Sequence, residues 1–463
     1  MSTIDKDTTK GADVSDTSVY LSNNYAPVAD EITVNDLNVI GAIPEELDGR
    51  WLRNGPNPIG EVDPATHHWF TGNAMVHGVR IRGGRAEWYR NRWVRGQREA
   101  EALGEPMPTG PVHTEFGAAG PNTSIGGFAG EIWALVEAGA VPMRMTPELD
   151  TIGYDDFSGT LPNGFSAHPK YDPASGELHA VCYTWPDLMD HVQYVVVGRD
   201  GKVSKVIDVP VDDMPMIHDM SITQNYALVY DLPVTVDIDL AMQERFPFRW
   251  NPDHPARVGL LSRDADNADD IVWCDAPMNY LYHPLNAYED EDGRVVVDVC
   301  SYDVMFHKDL NGPLGDTTPV LDRWTIDPKT RTTKVEHVDE RLHEFPRHNP
   351  QVGGTKHRFG YTAGATNGKA DLFGATYKID YDAGTILEHD HGEGRGGAEP
   401  VFVAKEGGSA EDDGWLMVAV HDATVDRSDL VILDAADFEG DEVARIELPR
   451  RVPHGFHGNW VRD

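Results

Sequence analysis

The stretch VQYVVVGRDGKVSKVIDVP, residues 192–210, decides the fold class. Val, Ile and Tyr crowd both arms, and such side chains suit a pleated, half-buried surface. Between the arms lies GRDGK (198–202), whose glycines and aspartate accept turn conformations that other residues resist. Two apolar runs around such a turn read as a β-hairpin. The pattern recurs in EIWALVEAGA (131–140), ELHAVCYTW (177–185), YALVYDLPV (226–234), RVVVDVCSY (294–302), GWLMVAVHDA (414–423) and DLVILDAADFEGDEVARIELP (429–449). Asp-, Gly- and Pro-rich turns such as EDEDGR (289–294) separate them. The best helical candidates are short: REAEALG (98–104) and DLAMQERF (239–246). The reading is an all-β chain of many short antiparallel strands. A β-propeller fits that rhythm, although no repeat is sharp enough to count blades.

No Pro- or Ser-rich linker divides the chain, and HGEGRGGAE (391–399) reads as a loop. Residues 19–463 are therefore expected to form one domain behind a disordered acidic tail at 1–18. With 40% hydrophobic residues there is ample material for a core. No apolar run approaches the roughly 20 residues of a membrane-spanning helix. The opening MSTIDKDTTKGADVSDTS lacks the basic flank and apolar centre of a secretory signal, so a cytoplasmic protein is expected. Acidic side chains outnumber basic ones 77 to 39, a net charge of −38, which opposes nucleic acid and anionic membrane as main partners. Cys182, Cys274 and Cys300 are too few for a disulfide framework and lack metal-ligand spacing; buried free thiols are expected.

Nucleotide and hydrolase motifs are missing. GNAMVHG, WLRNGPNP and HGEGRGG are glycine-containing, but none sits at a strand-to-helix junction with G-x-G-x-x-G or a Walker lysine, and no G-x-S-x-G elbow occurs. Histidine is more informative, with 20 in the chain. His168 in FSAHPKYDP, His218 in PMIHDMSIT, His283 in YLYHPLNAY and His457 in PHGFHGNW stand in strand-like surroundings. The last of these lies in the C-terminal RVPHGFHGNWVRD (451–463), where chains usually fray. Any one such histidine is more often structural or solvated than a ligand. His389 and His391, in EHDHGEG (388–394), have His-x-His spacing but lie in a polar, glycine-rich stretch and read as solvent-exposed.

Together these contexts resemble the carotenoid cleavage oxygenase family. The resemblance runs from about residue 25 to the C-terminus. It covers GAIPEELDGRWLRNGPNP, HHWFTGNAMVHGVRI, WYRNRWVR, AHPKYDPASGEL, MIHDMSIT, YHPLNAYE, EFPRHNPQVGG, EPVFVAK and PHGFHGNW. The chain looks most like the bacterial enzymes that cleave carotenoids and apocarotenoids. The resemblance implies a seven-bladed β-propeller with a helical and loop cap over an axial non-haem iron(II). Its ligands would be His168, His218, His283 and His457, with Glu137, Glu344 and Glu399 accepting the ring protons that face away from the metal. Thr123, in GPNTSIGG, matches a position that shields one coordination site in some relatives. His454 does not match a ligand position and is read as structural. The chemistry is consistent: four neutral imidazoles suit a borderline transition metal, and each ring must hand its other proton to an acceptor.

The implied reaction splits a carbon–carbon double bond with dioxygen into two carbonyl products. That conversion supplies the four electrons dioxygen accepts, so neither NADH, flavin nor 2-oxoglutarate is required. Stilbene-cleaving relatives typically carry a lysine just before the glutamate of the ALxE motif. Here Val136 stands there, and an apolar residue suits a polyene better than a phenol. Carotenoid or apocarotenoid is thus the expected substrate, and a stilbene or phenylpropanoid alkene the alternative. A non-catalytic binding propeller is disfavoured by the complete ligand set. Many relatives carry a long apolar insertion after the second histidine; here only IDLAMQERFPFRW (238–250) fills that interval. Phe246, Phe248 and Trp250 within it would line a tunnel mouth or pack against the propeller. A monomer with at most transient membrane contact is expected.

Overall fold

In the computed structural model, which describes residues 18–114, 118–364 and 373–463, the 192–210 stretch is a hairpin. His191–Val197 pairs antiparallel with Val203–Pro210. Its turn closes where Gly198 N–H donates to Lys202 O at 2.8 Å, with Gly201 at φ +72° in the left-handed region that favours glycine. Lys170–Asp172 and Glu177–Cys182 complete a four-stranded sheet. Side chains alternate between its faces. Val192, Tyr194 and Val196 join a core with residues of the following sheet, such as Met220 and Leu228. Val195 and Val197 join one with Trp133 and Leu135 of the preceding sheet. Both faces are covered, which is why the sequence reads as a continuous apolar run there rather than a strict alternation.

Six more sheets repeat this unit and complete a ring of seven blades. Their innermost strands, in chain order, are Ser124–Phe128, Lys170–Asp172, Met220–Ile222, Tyr280–Glu289, His343–Arg347, Val401–Ala404 and Gly458–Arg462. The ring is closed twice. Gly458–Arg462 pairs with Gly49–Pro56, so the C-terminus is the inner strand of a blade begun near the N-terminus. On the outside, Thr33–Asn35 joins that first blade and Val39–Gly41 pairs with Ala444–Glu447 of the last. The tail glycines now have a reason. A Cβ on Gly458 would meet Leu52 O at 2.5 Å, and one on Gly55 would meet the Cα of Gly455 at 2.6 Å. Backbone lies on backbone here, with no room for a side chain.

The two predicted helices occur as Gln97–Leu103 and Ile238–Met242. The second is shorter than its pattern, because Glu244 takes φ +57° and the chain turns into a ribbon pairing Phe248–Trp250 with Val234–Val236. HGEGRGGAE is not wholly a loop: Arg395–Gly397 pairs with Gly414–Asp422. All three cysteines are buried and free. The expected tail lies outside the described residues except for Ser18, whose Oγ accepts the N–H of Tyr20.

Candidate metal centre

Four of the innermost strands carry a histidine, at or near their start, into one cluster at the propeller axis. His168 and His218 each stand two residues before their strand, His457 directly before its strand, and His283 within one. His283 needs a local device. The register jumps from Leu281 opposite Ser301 to Pro284 opposite Val299, so two residues face one partner. A matching slip follows Glu344, where Phe345 takes φ +51°. Such bulges re-aim side chains beside active sites. The four imidazoles are only 6–9% exposed, and their candidate ligand atoms lie within 4.8 Å of one another.

Three rings are held from behind. His218 Nδ1 donates to Glu137 Oε1 at 2.9 Å, His283 Nδ1 to Glu344 Oε2 at 2.6 Å and His457 Nδ1 to Glu399 Oε1 at 2.7 Å. Glu344 also accepts Tyr302 O–H at 3.0 Å and the N–H of Phe345. Glu399 accepts Arg347 Nε–H at 2.9 Å and Gly458 N–H at 2.7 Å. Burial would raise the Glu399 pKa, but Arg347 and His457 outweigh it and hold the carboxyl well below the usual range. His168 differs: its Nδ1 is 3.8 Å from Asp219, which is itself paired with Lys170, and its Nε2 is buried without a partner.

These contacts decide what the centre can hold. With Nδ1–H given to a carboxylate, each Nε2 presents a lone pair. His218 Nε2 and His283 Nε2 face each other at 3.3 Å, where two lone pairs repel unless a cation lies between them. Burial, only partly offset by Glu399, pushes His457 down to about 3, and burial with the neighbouring imidazoles pushes His168 well below its ordinary value. At His218 burial lowers the pKa, but Glu137 outweighs it and the net shift is upward. Neutral imidazoles backed by carboxylates fit a divalent borderline metal, iron included.

The remaining expected residues are placed as follows. Thr123 is buried; its carbonyl accepts His457 N–H at 3.0 Å and its hydroxyl donates to Asn122 Oδ1 at 3.1 Å. Val136 is half-buried beside Glu137. Phe246 stacks on His68 at 3.8 Å and lies edge-on to Phe70. Phe70 in turn meets Tyr282, whose ring lies edge-on to His218 at 5.1 Å. Phe248 is buried against Tyr183, and Trp250 is half-buried. His454 is stacked on Phe373 at 3.9 Å and bonded to Asn24 Nδ2 at 3.2 Å. His391 corrects the exposed reading: it is 6% exposed, because its loop folds back over Gly397. Tyr302, Arg347, Tyr282 and Phe70 were not singled out from sequence. Arg347 follows Glu344 in EFPRHN, Tyr282 precedes His283 and Phe70 lies in HHWFTGNAMVHGVRI, so three had a local signal; Tyr302 had none. A cavity of about 310 Å³ follows the inner strands from His168, His283 and His457 to Lys170, Asn459 and Trp460.

Comparison with known proteins agrees with this geometry. The family model described as retinal pigment epithelial membrane protein matches residues 25–462. The carotenoid cleavage oxygenase of Mycobacterium tuberculosis is 45% identical, the match covering 96% of this chain and 97% of that protein. Carotenoid 9,10(9',10')-cleavage dioxygenase 1 of Arabidopsis thaliana is 31% identical over 96% of this chain and 90% of its own. The crystal structure of cobalt-substituted Synechocystis apocarotenoid oxygenase superposes with a TM-score of 0.84 at 28% identity, covering 95% of this chain and 98% of that one. With a family match over nearly its whole length and a four-histidine metal site at its axis, the chain belongs to the carotenoid cleavage oxygenase family.

Proposed function

We propose that the protein cleaves a carbon–carbon double bond of a carotenoid or apocarotenoid with dioxygen, giving two carbonyl products. His168, His218, His283 and His457 would hold iron(II) through Nε2. The observation that carries this reading is the convergence of four buried imidazoles, three of them with Nδ1–H committed to glutamates. Bound iron would supply the site for dioxygen activation. Glu137, Glu344 and Glu399 fix the ring tautomers and offset the metal charge. Tyr302 and Arg347 hold two of those carboxylates in place. Phe70, Phe246, Tyr282 and Phe306 form an aromatic sheath beside His218 that suits a flat apolar polyene and keeps water out. Thr123, bonded to the backbone of His457, narrows access to one side of the centre.

Val136 supports a polyene over a hydroxylated stilbene, since an apolar side chain gives a phenolic hydroxyl no partner. Ile238 and Met242 are 58% and 80% exposed on the short helix leading to Phe246, which supports brief contact with lipid during substrate capture. Among the described residues no helix is long and apolar enough to cross a membrane. The net charge of −38 supports a cytoplasmic monomer rather than a protein held on anionic lipid. The test is aerobic incubation of the iron(II)-loaded protein with a long-chain apocarotenal, with products identified by mass spectrometry. Two shorter carbonyls whose carbons sum to the substrate's are expected. An untouched polyene with iron still bound would overturn the substrate reading and make hydroxylated stilbenes and phenylpropenes the next substrates to test.

A further inference from the structure

A second cluster of metal-binding side chains lies on the rim, away from the axis. His389 ends Thr385–His389, the outermost strand of the sixth blade, and His391 follows two residues later. Glu442 stands just before Ala444–Glu447, an outer strand of the seventh. Ligand atoms of the three lie within 4.8 Å of one another. The two rings are 5.1 Å apart.

His391 is the telling residue. It is 94% buried, and its Nδ1 has no partner. Its Nε2 lies 3.0 Å from Thr376 Oγ1. If Nε2–H donates to that hydroxyl, Nδ1 is left as a buried lone pair. The opposite tautomer would bury an N–H with no acceptor, at the full desolvation cost of that group. A Cβ on Gly397 would meet the His391 ring at 2.5 Å, so the ring occupies space that only glycine leaves. Glu442 Oε2 accepts Arg445 Nε–H at 2.7 Å, which leaves Oε1 for another partner. Arg395 is already paired with Asp422 and Asp429.

We propose that His389, His391 and Glu442 bind a divalent borderline cation, zinc by preference, that pins the sixth blade to the seventh. Two imidazoles and a carboxylate suit zinc, with a fourth position left to water. Thr376 behind His391 and Arg445 behind Glu442 are the outer partners that such ligands generally carry. The role is structural, and it is independent of the axial centre.

The test uses the full chain with iron loaded at the axis, titrated with zinc and assayed for both metals by mass spectrometry after desalting. One zinc per chain is expected with iron content unchanged. Because His391 is buried and its variants risk misfolding, the half-buried ligands are changed: His389→Asn and Glu442→Gln. Each should weaken zinc retention at least about tenfold while leaving iron in place. No zinc uptake, uptake only as iron is lost, or equal retention in both variants would overturn the proposal.

Discussion

Exchanging Glu344 for glutamine tests whether charge behind a ligand, and not shape alone, holds the metal. Glu344 is 1% exposed and receives three donors: His283 Nδ1–H at 2.6 Å, Tyr302 O–H at 3.0 Å and the N–H of Phe345. Two of these share Oε2, so the amide oxygen of Glu344→Gln must take that place. Its NH₂ then faces Tyr302, whose hydroxyl turns to accept and leaves its own proton without a partner. An orphaned buried hydroxyl costs about 1–3 kcal/mol. With an unfolding entropy of about 2.1 cal/mol/K per residue over 463 residues, Tm of the metal-free protein falls by only about 1–3 °C. Metal retention suffers more. Losing the partner behind a ligating imidazole costs roughly 10–100-fold in affinity, or about 1.4–2.7 kcal/mol. The assay is iron per chain after dialysis against graded chelator, beside calorimetry of the metal-free protein. Tyr302→Phe keeps the carboxylate and loses only one of its three donors, so it should weaken iron retention far less. The reasoning fails if Glu344→Gln retains iron at every chelator concentration, or if Tyr302→Phe weakens it equally.

Three further outcomes are expected. His283→Ala should lose iron, whereas His454→Ala should keep it and lose roughly 0.5–3 kcal/mol of stability, because His454 packs on Phe373 and Tyr25, bonds Asn24 and is not one of the four clustered imidazoles; equal iron loss in both would sink the ligand set. Val136→Lys should lower kcat/KM for an apocarotenal, and a gain in turnover would refute the role given to Val136. Burial would raise Asp172, but Arg263, the Ala174 N–H and Ser175 outweigh it and lower its pKa to about 2. A carboxylate depressed on folding stabilises at pH above its unfolded pKa and loses that contribution as pH falls through the folded value. The stability gap between wild type and Asp172→Asn should therefore be full at neutral pH and close between about pH 4 and pH 2. A gap that does not change with pH in denaturant titrations would contradict the pairing.

Local patterning made the strands legible. Apolar runs and Gly/Asp turns are properties of neighbouring residues, so hairpins such as 192–210 follow from sequence alone. The two short helices were equally readable, though the end of the second was not, because its exit depends on a ribbon formed with Val234–Val236. The blade number and the four ligands came from resemblance to a family. No spacing could yield them, since the histidines lie on different blades and meet only when the ring closes.

Tertiary structure alone decided the rest. Pairing three of the histidines with their glutamates joins residues 58 to 81 positions apart, brought together by strand register across blades. The bulges at His283 and after Glu344 depend on which residue the neighbouring strand presents, which the bulged strand cannot encode by itself. Burial of His391 depends on Gly397 leaving room beneath a stretch that reads as polar loop. The sequence determined what each residue could do chemically; closure of the propeller determined which of them meet.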